Sequence, residues 1–255
     1  MIKFFRKIRQ NLLMENKTGK PAWPAGRYLK YAIGEIILVV IGILIAIQLN
    51  EWRNDSINSK QKQKVLLALK SEFEANLTQL DTVYYYQTNT LNALKKTMNL
   101  IDSINYITDD EVFIETILDM RYEWSYNPTN GALRSAVSSG DIHLIDSERL
   151  IKLLFSWEDL VKDSFEESER QIKYASDSYP LLNKYIQLKE VYRSVNYDDK
   201  GSKHPSDFVG LFNDPLFEDY TLRMAFNTNS YKKELEEMRI SNEEIIQSLD
   251  QELNK

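Results

Sequence analysis

The chain offers few side chains with catalytic or metal-binding chemistry. It has two histidines, His143 and His204, and no cysteine. Metal sites usually combine three or four His, Cys, Asp or Glu ligands at short spacings, and neither histidine has a second His or a Cys nearby. No nucleophile elbow, zinc-protease motif, P-loop or dinucleotide fingerprint occurs. The sequence therefore predicts no catalytic, cofactor-binding or metal-binding residue, and no cofactor.

One acidic residue stands out because it lies inside an apolar segment. Residues 31–49 read YAIGEIILVVIGILIAIQL, and Glu35 is the only charged side chain among them. Near the end of a membrane helix a carboxylate reaches interfacial water and is favoured by the helix dipole, whereas deeper in lipid it needs a polar partner. Gly42 and Ala46 share a helical face with Glu35 and would let another helix approach closely. Glu35, Gly42 and Ala46 are therefore candidates for membrane helix packing, with an interfacial acid as the alternative.

Two further polar residues interrupt series of apolar residues that recur every three or four positions. The first series comprises residues 73, 77, 80, 84, 87, 91, 94, 98 and 101, with Gln87 as its only polar member. The second runs from Tyr231 to Leu249 and contains Asn242. This spacing is typical of coiled coils and of long helices packed at a shallow angle.

These two polar residues have two interpretations. Each is either an ordinary polar member of a helical bundle or part of a pairing that fixes helix register. In the second case Gln87 and Asn242 face each other, or their symmetry mates, at a cost in stability. Replacement of Gln87 by leucine is then expected to raise the stability of the domain.

The apolar segment that carries Glu35 is long enough to cross a bilayer. At about 1.5 Å per residue its nineteen residues form a helix of roughly 28 Å, close to the thickness of the hydrocarbon core. A cleaved signal peptide is the main alternative, but thirty residues precede the segment and Ala46-Ile47-Gln48 is a poor cleavage site. A buried core helix would leave the basic leader unexplained. We therefore predict an uncleaved transmembrane helix over residues 31–50.

The charges on either side of this helix predict its orientation. Residues 1–30 carry eight cations and one anion, whereas only four cations follow in residues 50–64, three of them distant from the segment. The positive-inside rule places the basic segment 1–30 in the cytoplasm and residues 51–255 in the periplasm. The chain has a formal net charge of −6, to which residues 1–30 contribute +7 and Glu35 −1, so residues 51–255 carry −12. So acidic a domain is not expected to bind nucleic acid, and the lipid bilayer is the predicted partner of the helix.

The extracytoplasmic part is predicted to be an all-α helical bundle. No glycine or proline lies between Trp52 and Met120, so the transmembrane helix is expected to continue into a long helix. Short helices are predicted at Asp109–Met120, with acids in its first turn, and at Gly131–Ser139. Gly140 is expected to close the second of these in the left-handed conformation.

The rest of the chain is predicted more coarsely. A helix begins after Asp146 as its N-cap, Pro180 kinks or restarts it, and Ser194–Asp207 forms a loop. A helical pair follows from about Asp214. The longest strand-like stretch is Ile142–Ile145. The apolar face of the helix after Asp146 is expected to comprise Leu150, Leu154, Trp157, Val161 and Phe165.

Two stretches of the chain resemble a known family. The leader MIKFFRKIRQNLL, a GKxxxY-like lead-in and the span GEIILVVIGILIAIQLNEW are similar to the N-terminal signature of an uncharacterised Bacteroidota membrane-protein family, the domain of unknown function 6090. The stretch from Gly131, GALRSAVSSGDIHLIDSERLIKLLFSWEDL, resembles its second signature. Residues 21–26, PAWPAG, depart from the family by lengthening the link before the tyrosine. The resemblance implies a single-pass inner-membrane protein of a Gram-negative bacterium, with no established activity and no catalytic residues.

The sequence as a whole predicts a non-enzymatic, membrane-anchored helical domain that acts in protein interaction or envelope sensing. Thirty cytoplasmic residues leave no room for an output domain, so a signal would pass to a second copy of the chain or to a partner membrane protein. The alternative is a periplasmic receptor domain that binds a small ligand and signals through a membrane partner. Residues 131–145, with Tyr122, Trp124 and Tyr126 before them, would then line the pocket, although an aromatic turn packed as core is the simpler interpretation. An enzyme ranks third.

Overall fold

The computed structural model of the chain describes residues 24–104, 109–120, 124–195 and 200–255. Within these ranges it contains helices and no strand, which confirms the predicted all-α fold. The basic leader, residues 1–23, lies outside the described residues. The helices are α1 (Pro24–Asp102), α2 (Asp110–Asp119), α3 (Gly131–Ser139), α4 (Glu148–Asp177), α5 (Tyr179–Tyr185), α6 (Leu188–Val191), α7 (Phe208–Phe212), α8 (Pro215–Leu253) and the 3₁₀ helices Asp141–Leu144 and Tyr192–Val195.

Contacts divide the chain into two compact units, one that ends at Asn58 and one that comprises Ser59–Lys255. In the first unit, residues 31–58 of α1 are exposed along their whole length. Of the helices that the structure describes, α1 alone is long and apolar enough to cross a membrane. A helix satisfies its backbone hydrogen bonds internally, as a segment surrounded by lipid must. The predicted continuation of this helix beyond residue 50 is confirmed, because α1 has no break before Asp102.

The second unit, Ser59–Lys255, is called the body here, and α1 and α4 run parallel within it. The rings of Phe73 and Trp157 meet edge to face with their centroids 5.3 Å apart. The amides of Gln87 and Gln171 hydrogen-bond at 3.0 Å. The two residues of each pair are 84 positions apart in the sequence. The same offset at both contacts shows that the two helices run in the same direction without a change of register.

Helix α8 runs antiparallel to α1 and therefore to α4. Lys70 Nζ lies 2.6 Å from Asp250 Oδ1, and Arg239 Nε lies 2.8 Å from Asp81 Oδ1. Residue numbers thus fall along α8 as they rise along α1. The body is built around these three helices, and two of them, α1 and α8, carry the predicted series of apolar residues.

The buried positions of α1 correct the first of those series. Residues 73, 80, 87, 91 and 94 are buried as predicted, but in place of 77, 84 and 98 the buried position is the residue before, and Gln87 is not the only polar member. The reason is that small polar side chains at these positions find backbone partners: Thr97 Oγ1 donates to the Ala93 carbonyl at 2.9 Å, and Asn76 binds Thr129. The buried face comprises Leu66, Leu69, Phe73, Asn76, Leu80, Val83, Gln87, Thr90, Leu94 and Thr97.

The series predicted on α8 is confirmed and is longer than expected, but the predicted helical pair after Asp214 is wrong. One helix of 39 residues runs from Pro215 to Leu253. The Asp214 carboxylate accepts from the Leu216 N–H at 2.9 Å, and no glycine or proline follows to end the helix. Its buried face comprises Phe217, Thr221, Met224, Thr228, Tyr231, Leu235, Met238, Asn242, Ile245, Leu249 and Glu252.

Local capping signals place the short helices as predicted. Asp109 accepts from the Glu111 N–H at 3.0 Å and caps α2. Helix α3 ends at Gly140, whose φ of 79° is left-handed and costs a glycine little. Helix α4 ends at Asp177 and α5 restarts with Pro180 in its first turn. In the loop predicted from residue 194, the described residues 200–207 contain no helix, whereas residues 194 and 195 belong to a 3₁₀ helix.

Three details of the predicted α4 region are wrong. The N-cap is Ser147, whose Oγ accepts from the Leu150 N–H at 3.2 Å. Phe165 is 38% exposed, because the buried face turns through the polar Ser164 and Ser168 instead. The strand-like stretch from Ile142 lies largely in a 3₁₀ helix, Asp141–Leu144.

The residue expected to cap α4 belongs to an ionic cluster instead. The Asp146 carboxylate lies 2.6 Å from Lys62 Nζ, which also lies 2.7 Å from Glu252. Burial alone would raise the pKa of Glu252, but hydrogen bonds from Lys255, Lys62 and the Asp146 N–H lower it to about 2. This cluster joins α1, α8 and the chain ahead of α4.

Candidate functional site

The three membrane candidates lie on the exposed surface of α1. Glu35, Gly42 and Ala46 are all exposed, and no described atom lies within 4 Å of where a Cβ on Gly42 would sit. Among the residues that the structure describes, none of the three is buried by another helix. Their role in helix packing remains a prediction about a second chain.

A buried polar layer lies where the three long helices of the body meet. Gln87 Nε2 donates to Gln171 Oε1 and Gln171 Nε2 donates back to Gln87 Oε1, each at 3.0 Å. The second hydrogen of each amide is also used: Gln87 donates to the Trp124 carbonyl at 2.8 Å, and Gln171 donates to Thr228 Oγ1 at 3.0 Å. The layer therefore satisfies all four amide hydrogens, as buried amides require.

This polar layer separates two apolar cores. One core surrounds Trp157 and ends on α1 near Val83, whereas the other surrounds Phe217 and begins on α1 at Ala93. A shift of one helix along another would move the Gln87 and Gln171 amides against apolar side chains and leave them unpaired. We therefore expect the layer to oppose any change in the register of α1, α4 and α8.

Asn242 behaves differently from Gln87 although both interrupt apolar series. It is fully buried, and neither its Oδ1 nor its Nδ2 has a hydrogen-bond partner in the part of the chain that the structure describes. The hypothesis that Gln87 and Asn242 face each other within one chain is therefore contradicted, because Gln87 pairs with Gln171. Pairing of either residue with its symmetry mate remains a prediction.

Two polar residues that the sequence did not single out fix the start of α3. Asn76 exchanges hydrogen bonds with the Thr129 backbone, its Nδ2 donating at 2.8 Å and its Oδ1 accepting at 2.9 Å. The Glu72 carboxylate accepts from the N–H groups of Ala132 at 2.7 Å and Leu133 at 3.0 Å. Asn130, the residue at the N-cap position, makes no capping hydrogen bond with its side chain. Glu72 therefore caps α3 from a different helix.

Replacement of Glu72 by alanine should loosen the start of α3. Loss of a cap costs about 1 kcal/mol, which corresponds to roughly five- to tenfold faster hydrogen exchange at the amides of Ala132 and Leu133. Glu74→Ala is the matched control, because Glu74 is an exposed acid on the same helix and pairs only loosely with Lys70 at 3.7 Å. Equal exchange rates in the wild type and both variants would contradict the cap.

Two acids meet with unpaired oxygens between α4 and α8. Glu167 Oε2 and Glu234 Oε2 are buried without a hydrogen-bond partner among the described residues. Burial and the nearby carboxylates of Glu167, Asp163 and Glu237 raise the pKa of Glu234 to about 7, against a smaller opposing effect of Arg170. Glu234 is thus protonated more readily in the folded state than in the unfolded state.

The raised pKa of Glu234 makes stability depend on pH. The negative charge of Glu234 lowers the free energy of unfolding. This loss is absent below pH 4.5, where the carboxyl is protonated in both states, grows as the pH rises, and is complete above about pH 7. Glu234→Gln should therefore raise the free energy of unfolding by about 1 kcal/mol at pH 8, after allowance for solvent screening, and leave it unchanged at pH 4. Denaturant unfolding at the two pH values measures this, with the exposed Glu236→Gln as control. An equal gain at both values would contradict it.

Two surface cavities among the described residues are candidate sites, and neither is lined by residues 131–145. The larger, about 780 Å³, lies beside the start of α2 and includes His204 and Arg193. Three of its charged groups pair with each other: Arg193 lies 2.5 Å from Glu111 and 3.2 Å from Glu190. The described residues contain no group of three His, Cys, Asp or Glu side chains placed to hold a metal.

The smaller cavity, about 450 Å³, is lined by α1 and the end of α2. Of the aromatic residues expected to line a pocket, Tyr126 is buried in the core, whereas Trp124 is 39% exposed and stacks on Tyr86, a residue of this cavity. Tyr122 lies outside the described residues. His143, the second histidine of the chain, is exposed on its 3₁₀ helix.

Comparison with known proteins identifies a family but no activity. Residues 35–156 match the model of a family of unknown function, DUF6090, which confirms the family that the sequence resemblance indicated. Neither a curated protein nor a solved structure matches the chain. The matched region contains Glu35, Gly42 and Gln87 and ends within α4, ahead of Gln171.

Proposed function

We propose that the chain is a single-pass inner-membrane protein whose helical body lies in the periplasm and acts, without catalysis, in protein interaction or envelope sensing. The observation that carries this proposal is the apolar surface of α1 over residues 31–49, which is exposed in the part of the chain that the structure describes. In water such a surface would cost about 25 cal/mol for each Å² left uncovered, whereas lipid removes the cost. The basic leader supports a cytoplasmic N-terminus.

Two features of the body support a role in interaction: paired amides in its interior and exposed apolar side chains on its surface. The buried amides of Gln87 and Gln171 satisfy each other and hold three helices in register, which suits a rigid body that presents a fixed surface. Large apolar side chains remain on that surface, among them Phe226 at 71% and Leu222 at 53% exposure on α8. Aromatic side chains such as Phe226 are enriched in protein interfaces.

The membrane helix is the route by which a signal would reach a partner. Gly42 and Ala46 leave room for a close helix approach, and Glu35 offers a carboxylate to a polar or cationic group of a second copy or of a partner membrane protein. Glu35→Gln should leave membrane insertion intact and remove the partner from the products of crosslinking in intact cells. Glu51→Gln, which changes an acid just beyond the segment, is the matched control and should retain it. An unchanged set of crosslinked products in Glu35→Gln would contradict the pairing.

The larger cavity favours a second candidate function, a small-ligand receptor that signals through a membrane partner. Its lining of charged and hydroxyl side chains, Arg193, Lys203 and Ser206 among them, suits a polar ligand. A thermal shift of the full chain with free amino acids, abolished by Arg193→Ala, would support the receptor. No shift with any of them would favour the interaction module.

A further inference from the structure

The smaller cavity combines a fixed aromatic surface with unpaired polar side chains. Tyr86, Asn89, Ala93 and Lys96 recur every three or four residues and therefore share one face of α1. Asp119, the last residue of α2, completes the wall of a cavity of about 450 Å³, which is within the usual range for small-molecule sites.

The aromatic surface beside this cavity is held in place before any ligand arrives. The rings of Tyr86 and Trp124 stack with centroids 4.1 Å apart and an angle of 3° between their planes. Tyr85, which is 60% exposed, meets Tyr86 edge to face at 5.4 Å. The Trp124 carbonyl accepts the hydrogen bond from Gln87 in the polar layer, so the core fixes the backbone that carries the stack.

The polar side chains of this cavity are free to bind, unlike Glu111, Glu190 and Arg193 of the larger one. Asn89, Asn92, Lys96 and Asp119 are exposed and form no hydrogen bond or ion pair with any residue that the structure describes. In the larger cavity, by contrast, Glu190 accepts from the Ser202 N–H at 2.8 Å and also pairs with Arg193. The free amides of the smaller cavity both donate and accept hydrogen bonds.

We propose that this cavity binds one ring of a neutral saccharide. One face of a pyranose carries C–H bonds with a partial positive charge, which pack on the negative face of an aromatic ring. Its hydroxyl groups donate and accept hydrogen bonds at the ring edge, where the amides of Asn89 and Asn92 serve both needs. The net charge of −12 on residues 51–255 disfavours acidic sugars and nucleotides, so the proposal is confined to saccharides without a negative charge.

The test uses the full chain in lipid nanodiscs, because detergents with sugar headgroups would compete. The probes are chitotriose, cellotriose and maltotriose, and binding is measured by saturation-transfer NMR and titration calorimetry. At least one probe is expected to bind with a Kd of about 0.1–5 mM, with the strongest saturation on the C–H protons of one ring.

Variants distinguish specific binding at this cavity from nonspecific binding elsewhere on the body. Trp124→Ala and the double variant Asn89→Ala/Asn92→Ala should each weaken binding at least about tenfold. The double asparagine variant is informative even if Trp124→Ala disturbs the fold, because both asparagines are exposed. Phe226→Ala removes an exposed aromatic ring elsewhere on the body and should bind as the wild type does. The absence of binding by all three probes, or binding that survives in the double variant, would overturn the proposal.

Discussion

Gln87→Leu should lower the free energy of unfolding of the body by about 2–4 kcal/mol. The substitution leaves the Trp124 carbonyl, Gln171 Oε1 and one Gln171 Nε2 hydrogen without partners in a buried layer. Each unsatisfied buried group costs about 1–3 kcal/mol. This reverses the expectation from the sequence, in which Gln87 was a polar interruption whose removal would stabilise the helix contact. Denaturant unfolding of the full chain, followed by the fluorescence of the buried Trp157, measures the change.

The double variant Gln87→Leu/Gln171→Leu is the control for this prediction. Removal of both amides at once leaves fewer unpaired groups than removal of one, so the double variant should be more stable than the single variant. Higher stability in the single variant than in the wild type would show that the amide pair does not form in solution.

Asn242→Leu should have the opposite effect and raise the free energy of unfolding by about 1–3 kcal/mol. Asn242 is fully buried between Met238 and Ile245 on the face of α8, with both polar atoms unpaired in the described structure. A leucine, which has the same branching and the same number of side-chain heavy atoms, removes the cost of desolvating that amide and adds apolar burial. The same unfolding measurement detects the gain.

Asn229→Leu is the matched control, because it makes the same substitution at an exposed position of α8 and should change stability little. A loss of stability in Asn242→Leu, together with a fall in oligomeric mass, would contradict the prediction. It would instead show that Asn242 pairs with its counterpart in a second copy of the chain.

Features with a local cause could be predicted from the sequence. Asp109 and Gly140 are capping residues whose effect is limited to one turn, and Pro180 cannot continue a helix. The repeated spacing was also sufficient on α8 between Tyr231 and Leu249, because five of the six predicted positions there are apolar and all six are buried. On α1 the same method misplaced alternate positions, because Asn76 and Thr97 are polar and were not recognised as buried.

Features that depend on distant partners could not be predicted. Glu72 caps a helix that begins 59 residues later, and Lys62 draws Asp146 away from the capping position that Ser147 takes instead. Gln87 and Asn242 could not be distinguished from the sequence, because each is a single polar residue in a series of apolar positions. Gln171 distinguishes them, and it was missed because the apolar face of α4 was expected to continue through Phe165.

The periplasmic location of the body is tested most directly by reporters fused after Lys255. Alkaline phosphatase, which folds to an active enzyme only outside the cytoplasm, should be active, and a reporter active only in the cytoplasm should be silent. A fusion joined ahead of Tyr31 should show the reverse pattern. Activity of only the cytoplasmic reporter after Lys255 would contradict the proposed topology and, with it, a body that senses or binds its partners in the periplasm.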